Sequence, residues 1–583
     1  MCGIIACINN NNNIFDPIFT GLKQIQNRGY DSAGICSINK KTNLSILNNK
    51  FANTDSKTSL ELLQNVQNQY QDTNIGIGHS RWATHGAKTD YNAHPHCDMH
   101  NRFAIVHNGI IDNYLDIKNM LLKNNFIFLS ETDTEIVVNL ISYYFDKTND
   151  CFTSIKSAFD DLKGTWACAI ISIYEPDTLY LCKNGSPLLL GYSDNLVMAC
   201  SETAGFSQMV NKYVIIEDNS ILNIRLDNIN EIIKDRKPIS LEKVQAIDSP
   251  YPYNHYMQKE IEEQKETMIK AIDSFKFDCD INKKNLVIIA CGSSLYAGMY
   301  GQFYLKKSLC FNTVTCYDAS EFQVANDLPD NAFVIVISQS GETKDVHRAM
   351  EQIFSYRKNR KNTSVPILAI TNRTGSLISR EADYHIDISV GREIAVGSTK
   401  AFTGQALTLM MLPKQIDKNQ INDYVFSDTV NDSCIQIAEM LNGKNSCFIL
   451  GRGSLYSIAL EGALKLKEIG YCHAEGLCGG ALKHGPFALL GSGVPVIILS
   501  DLLTESQMIS TMEEIKCRGA TVIVISNHQI QNKKICDYHL FIDTSCNLLF
   551  VIALQKIAYY LAILKGHNPD YPKNLAKVVT VDG

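Results

Sequence analysis

Cysteine stands at position 2, so removal of Met1 would place a thiol and a free α-amine on one residue. Such an amine has a reference pKa of about 7.7–8.0 and can act as base for its own thiol near neutral pH. Gly3 beside it leaves room for close approach. On its own, Cys2 reads more readily as the first residue of a buried strand. Two serine-rich turns carry a different chemistry. Cys291-Gly292-Ser293-Ser294 and Ser338-Gln339-Ser340-Gly341-Glu342-Thr343 each follow an apolar run and open a helical pattern. The unpaired N–H groups and dipole of a helix start suit a phosphate, and Ser and Thr hydroxyls add donors without bulk. Either turn alone also reads as routine helix capping. Further along, Glu461, Lys465 and Glu468 are spaced to share one helix face. A carboxylate there could move a proton, and the same spacing describes an ordinary ion pair.

The elements that must position these residues fall into distinct blocks. The first 235 residues read as sheet-rich, with short apolar runs at Cys2–Ile8, Ala33–Ile38, Ile75–Ser80, Phe103–His107 and Trp166–Ile173. Asp16-Pro17 predicts an N-cap followed by proline in the first turn. Ser130-Glu131-Thr132-Asp133 resembles a capping box with Asp in place of Glu. Lys234–Pro252, with three prolines and several charges, is expected to be a linker. Beyond it runs a degenerate repeat. LVIIACGSSLYAG (286–298) resembles CFILGRGSLYSIA (447–459), and DYHIDI (383–388) resembles DYHLFI (537–542), at an offset of roughly 155–160 residues. Continuous Val/Ile strands between helices predict two α/β units with parallel sheets. The expected division is 1–235, a linker over 236–253, α/β units over 254–415 and 416–570, and a tail over 571–583.

Bulk properties narrow the class. The chain of 583 residues exceeds the ~250–300 at which one core stops growing. Lys+Arg 54 against Asp+Glu 61 leaves a net charge of -7, which offers no footprint for nucleic acid. The 19 cysteines include no C-x-x-C pair, and several, such as Cys168 and Cys447, sit in apolar runs expected to be core. The N-terminus lacks a secretory pattern, and no apolar run is read as reaching the ~18 residues of a membrane span. A cytoplasmic location is expected.

Four motifs follow MCGI in order: NRGYDSAG (27–34), GHSRWATHGAKTDYNAHPH (78–96), VHNGIIDNY (106–114) and SETDTE (130–135). Together they resemble the glutaminase domain of N-terminal-nucleophile amidotransferases, which implies an αββα sandwich. The resemblance assigns Cys2 as nucleophile and Arg81, Asn108, Gly109 and Asp133 to glutamine, with Thr84 and His85 lining the site. An Asn amide and a Gly N–H suit an oxyanion hole, although Asn-Gly is also the strongest hairpin signal. Arg81 can clamp a carboxylate bidentately, and Asp133 can bind an ammonium or cap a helix. Trp82 matches an ammonia gate, and Arg28 an arginine that orders the site. His94, His96, Cys97 and His100 look like metal ligands, yet Asn-Ala-His-Pro-His matches the family pattern, which needs no metal.

The two serine turns resemble the phosphate loops of sugar isomerase (SIS) domains. With GREIAVGSTKAFTGQ (391–405), EGALKLKEIGYCHAEG (461–476), LKHGP (482–486) and YPKNLAKVVTV (571–581), they resemble the isomerase half of the glutamine–fructose-6-phosphate aminotransferase family. That resemblance implies fructose 6-phosphate and glutamine as substrates, no cofactor, and a homodimer. It implies phosphate and sugar contacts from Ser294, Ser338, Gln339, Ser340, Thr343, Val396 and Ser398. It implies Glu468 as base beside Lys465, His484 as a ring-opening histidine from the neighbouring subunit, and Lys577 as an imine-forming amine. The second repeat has Ser-Asp-Leu-Leu (500–503) at the corresponding turn, so one phosphate site per chain is expected. Ala481 departs from the family, which commonly carries Glu there. Two alternatives are set aside on sequence. A phosphoribosyl-diphosphate type amidotransferase would lack the repeat, and a non-catalytic sugar-phosphate sensor would not need Glu468, His484 and Lys577.

Overall fold

Strands that alternate apolar and polar residues pair antiparallel with one face on a core, whereas unbroken Val/Ile strands pair parallel and are buried on both faces. Antiparallel and parallel pairing are both present, in separate parts of the chain, and central strands of both kinds, such as Gly3–Asn9 and Ala332–Ser338, are buried on both faces. The computed structural model describes every residue except 1, 12, 41–43, 55, 84–85, 242–248, 283, 309, 361–364, 414–420, 422–426 and 578–583. It divides into two compact units, residues 1–248 and Ser249 onward.

In the first unit eight strands form one sheet. Their spatial order is Ile239–Ser240, Lys212–Ile215, Leu189–Ser193, Leu196–Cys200, Gly3–Asn9, Ile75–Arg81, Ser32–Asn39 and Ser45–Ala52. A second sheet runs Ser220–Ile224, Glu175–Asn184, Gly164–Ser172, Phe103–Ile111 and His96–Cys97. Ile4, Ala6 and Ile77 from the first sheet meet Val106, Ala169 and Leu181 from the second in one core. The alternate residues Ile5 and Cys7 turn the other way, onto Ile18 and Leu22 of helix Phe15–Gln24. Helices Asp133–Thr148 and Cys151–Asp160 cover the far side of the second sheet through Ile136, Ile141 and Ile155. The order helix, sheet, sheet, helix is the expected αββα sandwich.

Three local expectations change. Helix Phe15–Gln24 starts one residue before Asp16, with Ile14 as N-cap and no side-chain cap, so Asp16 and Pro17 lie inside its first turn. The other cap is Thr132, which accepts from the Glu135 N–H. The Glu135 carboxylate reaches back to the N–H groups of Leu129 and Ser130 at 2.8 and 2.6 Å. The capping pair is therefore Thr132 with Glu135, which leaves Asp133 for other work. Within the stretch read as linker, Ile239–Ser240 pairs with Lys212–Ile215 as an edge strand.

The second unit holds two five-stranded parallel sheets. The first is built from Asn285–Ala290, Thr313–Asp318, Ala332–Ser338, Ile367–Thr371 and Tyr384–Asp387, ordered second, first, third, fourth, fifth. The second uses Ser446–Gly451, His473–Cys478, Pro495–Ser500, Thr521–Ser526 and Tyr538–Phe541 in the same order. In this order the chain switches direction between the first and third strands, and ligands bind beyond their carboxyl ends. Both serine turns leave those two strands in the first repeat. Segment Asn547–Leu564 has 18 residues and a mean hydropathy of 1.7, so the expectation of no such run is corrected. Its window is 78% buried inside the protein, and Gln555 within it hydrogen-bonds Gln264 at 2.8 Å. It packs as a core helix between the repeats.

Candidate active sites

The register of the first sheet pairs Gly3 with Ser80, which brings Cys2 beside Arg81 and Trp82. The Trp82 N–H donates to Cys2 Sγ at 3.2 Å. Burial pushes the Cys2 thiol up, opposed by the Trp82 N–H and by the charges of Arg81 and Arg28. Two side chains hold the Cys2 carbonyl: Arg28 Nε at 3.1 Å and Asn108 Nδ2 at 3.1 Å. Arg28 is itself paired with Glu202 at 3.1 Å, both buried. Asn108 Nδ2 also donates to Ser201 Oγ at 2.9 Å, and Asn108 Oδ1 lies 3.0 Å from His79 Nε2. Burial pushes His79 down to about 3, so the neutral ring must carry its hydrogen on Nε2 to serve Asn108 and the His107 carbonyl. The amide hydrogens of Asn108 thus face Cys2 and Ser201.

Gly109 has φ +132°, and a Cβ there would lie 2.0 Å from the Thr165 carbonyl oxygen, so no side chain fits. Arg81 is buried at its strand end, with Ala87 and Gly86 carbonyls each 3.4 Å from its guanidinium. Asp133 reaches across to accept from the Ile111 N–H at 3.1 Å. Trp82 meets Tyr30 edge-on at 6.1 Å. Asp31 braces the turn, accepting from the Ala83 N–H at 2.9 Å and pairing with Lys88 at 2.7 Å. Thr84 and His85 lie outside the described residues. The buried histidines form a stack: His94 lies on His79 at 4.3 Å and meets His96 edge-on at 4.7 Å. Thr134 and Thr132 take His94 Nε2 and His96 Nε2 at 2.8 and 3.1 Å.

In the second unit, Ser338 Oγ lies 2.8 Å from Thr343 Oγ1 and accepts from the Gly341 N–H at 3.0 Å, which closes the turn. The Ser340 hydroxyl accepts from the Glu342 N–H at 3.1 Å. Gln339 contributes its carbonyl to the Asn372 N–H at 3.1 Å. Gly341 has φ +67°, and a Cβ there would meet Ser376 Oγ at 1.9 Å. The other turn starts helix Gly292–Lys307, with Ser293 and Ser294 in its first turn.

Ser293 joins this turn to the other repeat. Its hydroxyl lies 3.1 Å from Glu461 Oε1 and 3.2 Å from Lys465 Nζ. Lys465 is fully buried and pairs with Glu468 at 2.6 Å and Glu461 at 3.3 Å. Burial alone would lower the Lys465 pKa, but Glu461 and Glu468 reverse that and hold it up. Burial pushes Glu461 up to about 7. Glu468 is the more open of the two carboxylates and lies beside Gly397, where an added Cβ would be 3.9 Å from its Oε2. That glycine separates Val396 from Ser398. Lys577 closes the set, donating to the Ala395 carbonyl at 2.8 Å and to Glu393. The Ser293 turn, Lys465 and Glu468 are joined by direct contacts, Gly397 lies against Glu468, and Lys577 holds the neighbouring Ala395. His484 sits on an exposed turn, and among the described residues no hydrogen bond joins its ring to this set.

Several participants escape a reading by motif. Glu202 and Ser201 follow Cys200 with no local cue, and only the paired strands bring them to Arg28 and Asn108. Glu393 lies inside GREIAVGSTKAFTGQ, where a lone carboxylate amid small and apolar residues was the available signal. Ser293 was inside a recognised turn, but its contact with Lys465 spans 172 residues.

Comparison with known proteins matches residues 79–208 to a glutamine amidotransferase domain and residues 281–413 and 440–565 to SIS domains. A protein of Acanthamoeba polyphaga mimivirus named probable glutamine–fructose-6-phosphate aminotransferase [isomerizing] is 39% identical, with 100% of both chains covered. Proteins with that name without the qualifier from Acinetobacter baylyi and Thermococcus kodakarensis are each 35% identical, again over 100% of both chains. The C-terminal domain of glucosamine-fructose-6-phosphate aminotransferase from Francisella tularensis aligns with 56% of this chain and 100% of its own at 31% identity, with a TM-score of 0.48. On its full-length kinship, this chain belongs to the family of isomerizing glutamine–fructose-6-phosphate aminotransferases.

Proposed function

We propose that the chain transfers the amide nitrogen of glutamine to fructose 6-phosphate, giving glucosamine 6-phosphate and glutamate at the head of hexosamine synthesis. Cys2 attacks the glutamine amide, with its own α-amine taking the thiol proton. Asn108 and the Gly109 N–H receive the oxyanion once Asn108 turns one donor from Cys2 or Ser201 to the substrate. Arg81 takes the glutamine carboxylate and Asp133 its ammonium, with Thr84 and His85 beside them. Trp82 gates the released ammonia.

In the sugar site, Ser294, Ser338, Gln339, Ser340 and Thr343 hold the phosphate, and Val396 and Ser398 the sugar. His484 opens the ring from the neighbouring subunit of a homodimer, a reading supported by its exposed position. Lys577 forms an imine with the ketose, ammonia replaces it at C2, and Glu468 moves a proton from C1 to C2. Lys465 fixes the orientation of Glu468. A cytoplasmic location accords with these soluble substrates.

The observation that carries this reading is the buried Lys465, bonded to both Ser293 of the phosphate turn and the Glu468 carboxylate. A sensor needs the turn alone. The experiment is glucosamine 6-phosphate synthesis by the purified full chain. Cys2→Ala should lower glutamine-dependent synthesis at least about 10³-fold while synthesis from ammonium salts persists. Full glutamine-dependent activity in Cys2→Ala would sink the reading.

A further inference from the structure

The loop that precedes helix Lys400–Met411 hangs on two buried carboxylates. Glu260 Oε1 accepts from the N–H groups of Ile394 and Ala395, the latter at 3.2 Å. Glu393 Oε1 accepts from the Thr399 N–H at 2.9 Å, the Thr399 hydroxyl at 3.1 Å and the Ala401 N–H at 2.9 Å. That satisfies one Glu393 oxygen three times over and leaves the other facing Lys577 Nζ. Both carboxylates are almost wholly buried, Glu260 at 2% and Glu393 at 3% exposure. Two such groups side by side do not both ionise readily. Burial and the charge of Glu393 push Glu260 up to about 8, whereas Lys577 and the Thr399 and Ala401 N–H groups hold Glu393 down. Lys400, the other cation of the cluster, is committed to Glu263 at 2.8 Å.

We propose that Glu393 is the proton acceptor that converts Lys577 from an ammonium into the amine that attacks the ketose. This rests on the imine role proposed above for Lys577. The step balances within the pair. The Lys577 ammonium passes a proton to Glu393, and its freed electron pair forms the N–C2 bond as the carbonyl π bond breaks. A second proton passes from the attacking nitrogen to the C2 oxygen, giving the carbinolamine hydroxyl, and the proton on Glu393 then leaves with that hydroxyl as water while the nitrogen electron pair forms the C=N bond. The iminium forms, and Glu393 returns to carboxylate. Glu260 has no contact with Nζ among the hydrogen bonds described, and its part is to hang the loop.

The test is borohydride trapping of the Lys577 imine in the full chain mixed with fructose 6-phosphate, followed by mass analysis of the C-terminal peptide. Glu393→Gln keeps an oxygen for Thr399 and Ala401 but accepts no proton from an ammonium. It should slow trapping about 10²-fold while KM for fructose 6-phosphate moves less than about threefold. Glu260→Gln removes a carboxyl from the same cluster and should change trapping less than about threefold. Equal losses in both variants, or trapping at the wild-type rate in Glu393→Gln, would overturn the proposal. A wild-type chain that yields no adduct would instead remove the imine reading itself. Glutamine hydrolysis and far-UV circular dichroism report folding. If Glu393→Gln does not fold, Glu393→Asp carries the test, with trapping slowed about tenfold at constant KM expected and an unchanged rate refuting it.

Discussion

Replacing Glu461 by Gln should change how the stability of the second unit depends on pH. Glu461 is fully buried, shares Lys465 with Glu468, and has one oxygen, Oε2, without a hydrogen-bond partner. Burial raises its carboxyl from 4.5 to about 7, with Lys465 opposing and Glu468 adding to the rise. A rise of that size disfavours the ionised form in the folded state by about 3 kcal/mol. The folded pKa is the higher one, so the folded chain holds a proton that the unfolded chain has lost between those two values. Stability is therefore fully present below 4.5, falls as pH rises through the window, and carries the full penalty above about 7. Gln has no charge and no such slope. Its NH2 would take the place of Oε2 without an acceptor, a cost of about 1–3 kcal/mol that is the same at every pH. The diagnostic quantity is thus the difference between pH 5 and pH 8, in which that constant cancels. Relative to wild type, Glu461→Gln should gain about 2–3 kcal/mol over that interval.

Urea unfolding of the full chain can read this because both tryptophans, Trp82 and Trp166, lie in the first unit. Tryptophan fluorescence follows that unit and should not respond, while far-UV circular dichroism also follows the second. A Glu461→Gln difference that is constant within about 0.5 kcal/mol from pH 5 to pH 8 would refute the reasoning, as would a change confined to the fluorescence transition.

Other expectations concern the first unit. Arg28→Met leaves Glu202 buried without its guanidinium, and should cost about 3–5 kcal/mol in the fluorescence-detected transition; a loss under about 1 kcal/mol would show that the pair is dispensable. Gly109→Ala forces a Cβ against the Thr165 carbonyl at a left-handed φ, so it should destabilise the unit by at least about 2 kcal/mol. It should also slow glutamine hydrolysis about 10²-fold by displacing the N–H proposed as an oxyanion donor, and normal hydrolysis would contradict that proposed role. His79→Leu removes the donor that orients the Asn108 amide; kcat for hydrolysis should fall about tenfold or more while KM for glutamine holds, and a change in KM alone would count against it.

Much of the architecture was legible in local patterns. Short apolar runs marked the strands that became Gly3–Asn9 and Phe103–Ile111, and the repeated Val/Ile runs marked two parallel sheets. Helix starts were legible only to within a residue or two. Thr132 rather than Ser130 caps its helix by accepting from the Glu135 N–H, while the Glu135 carboxylate takes the Ser130 N–H. The apolar segment ending at Leu564 shows a different limit. Gln555 and Lys556 interrupt it in sequence, yet both are buried, because Gln264 and the pair Glu262 and Asn431 meet them there.

The sequence by itself determined the kinds of chemistry available: a thiol at position 2 that gains an α-amine on loss of Met1, serine turns that open helices, and a carboxylate and lysines in ordered motifs. These are short-range properties, set by residue type and by helix and strand period. The tertiary structure decided which charges are buried and what they face. Arg28 meets Glu202 across 174 residues, Lys465 meets Ser293 across 172, and Lys577 meets Glu393 across 184. The physical reason is the cost of taking an ion out of water, which only a partner brought near by the fold can offset. An E-x-x-x-K spacing is compatible with a solvated surface pair or with a buried proton-transfer group. Its place between two packed repeats rules out the solvated pair, because Glu461 and Lys465 are fully buried.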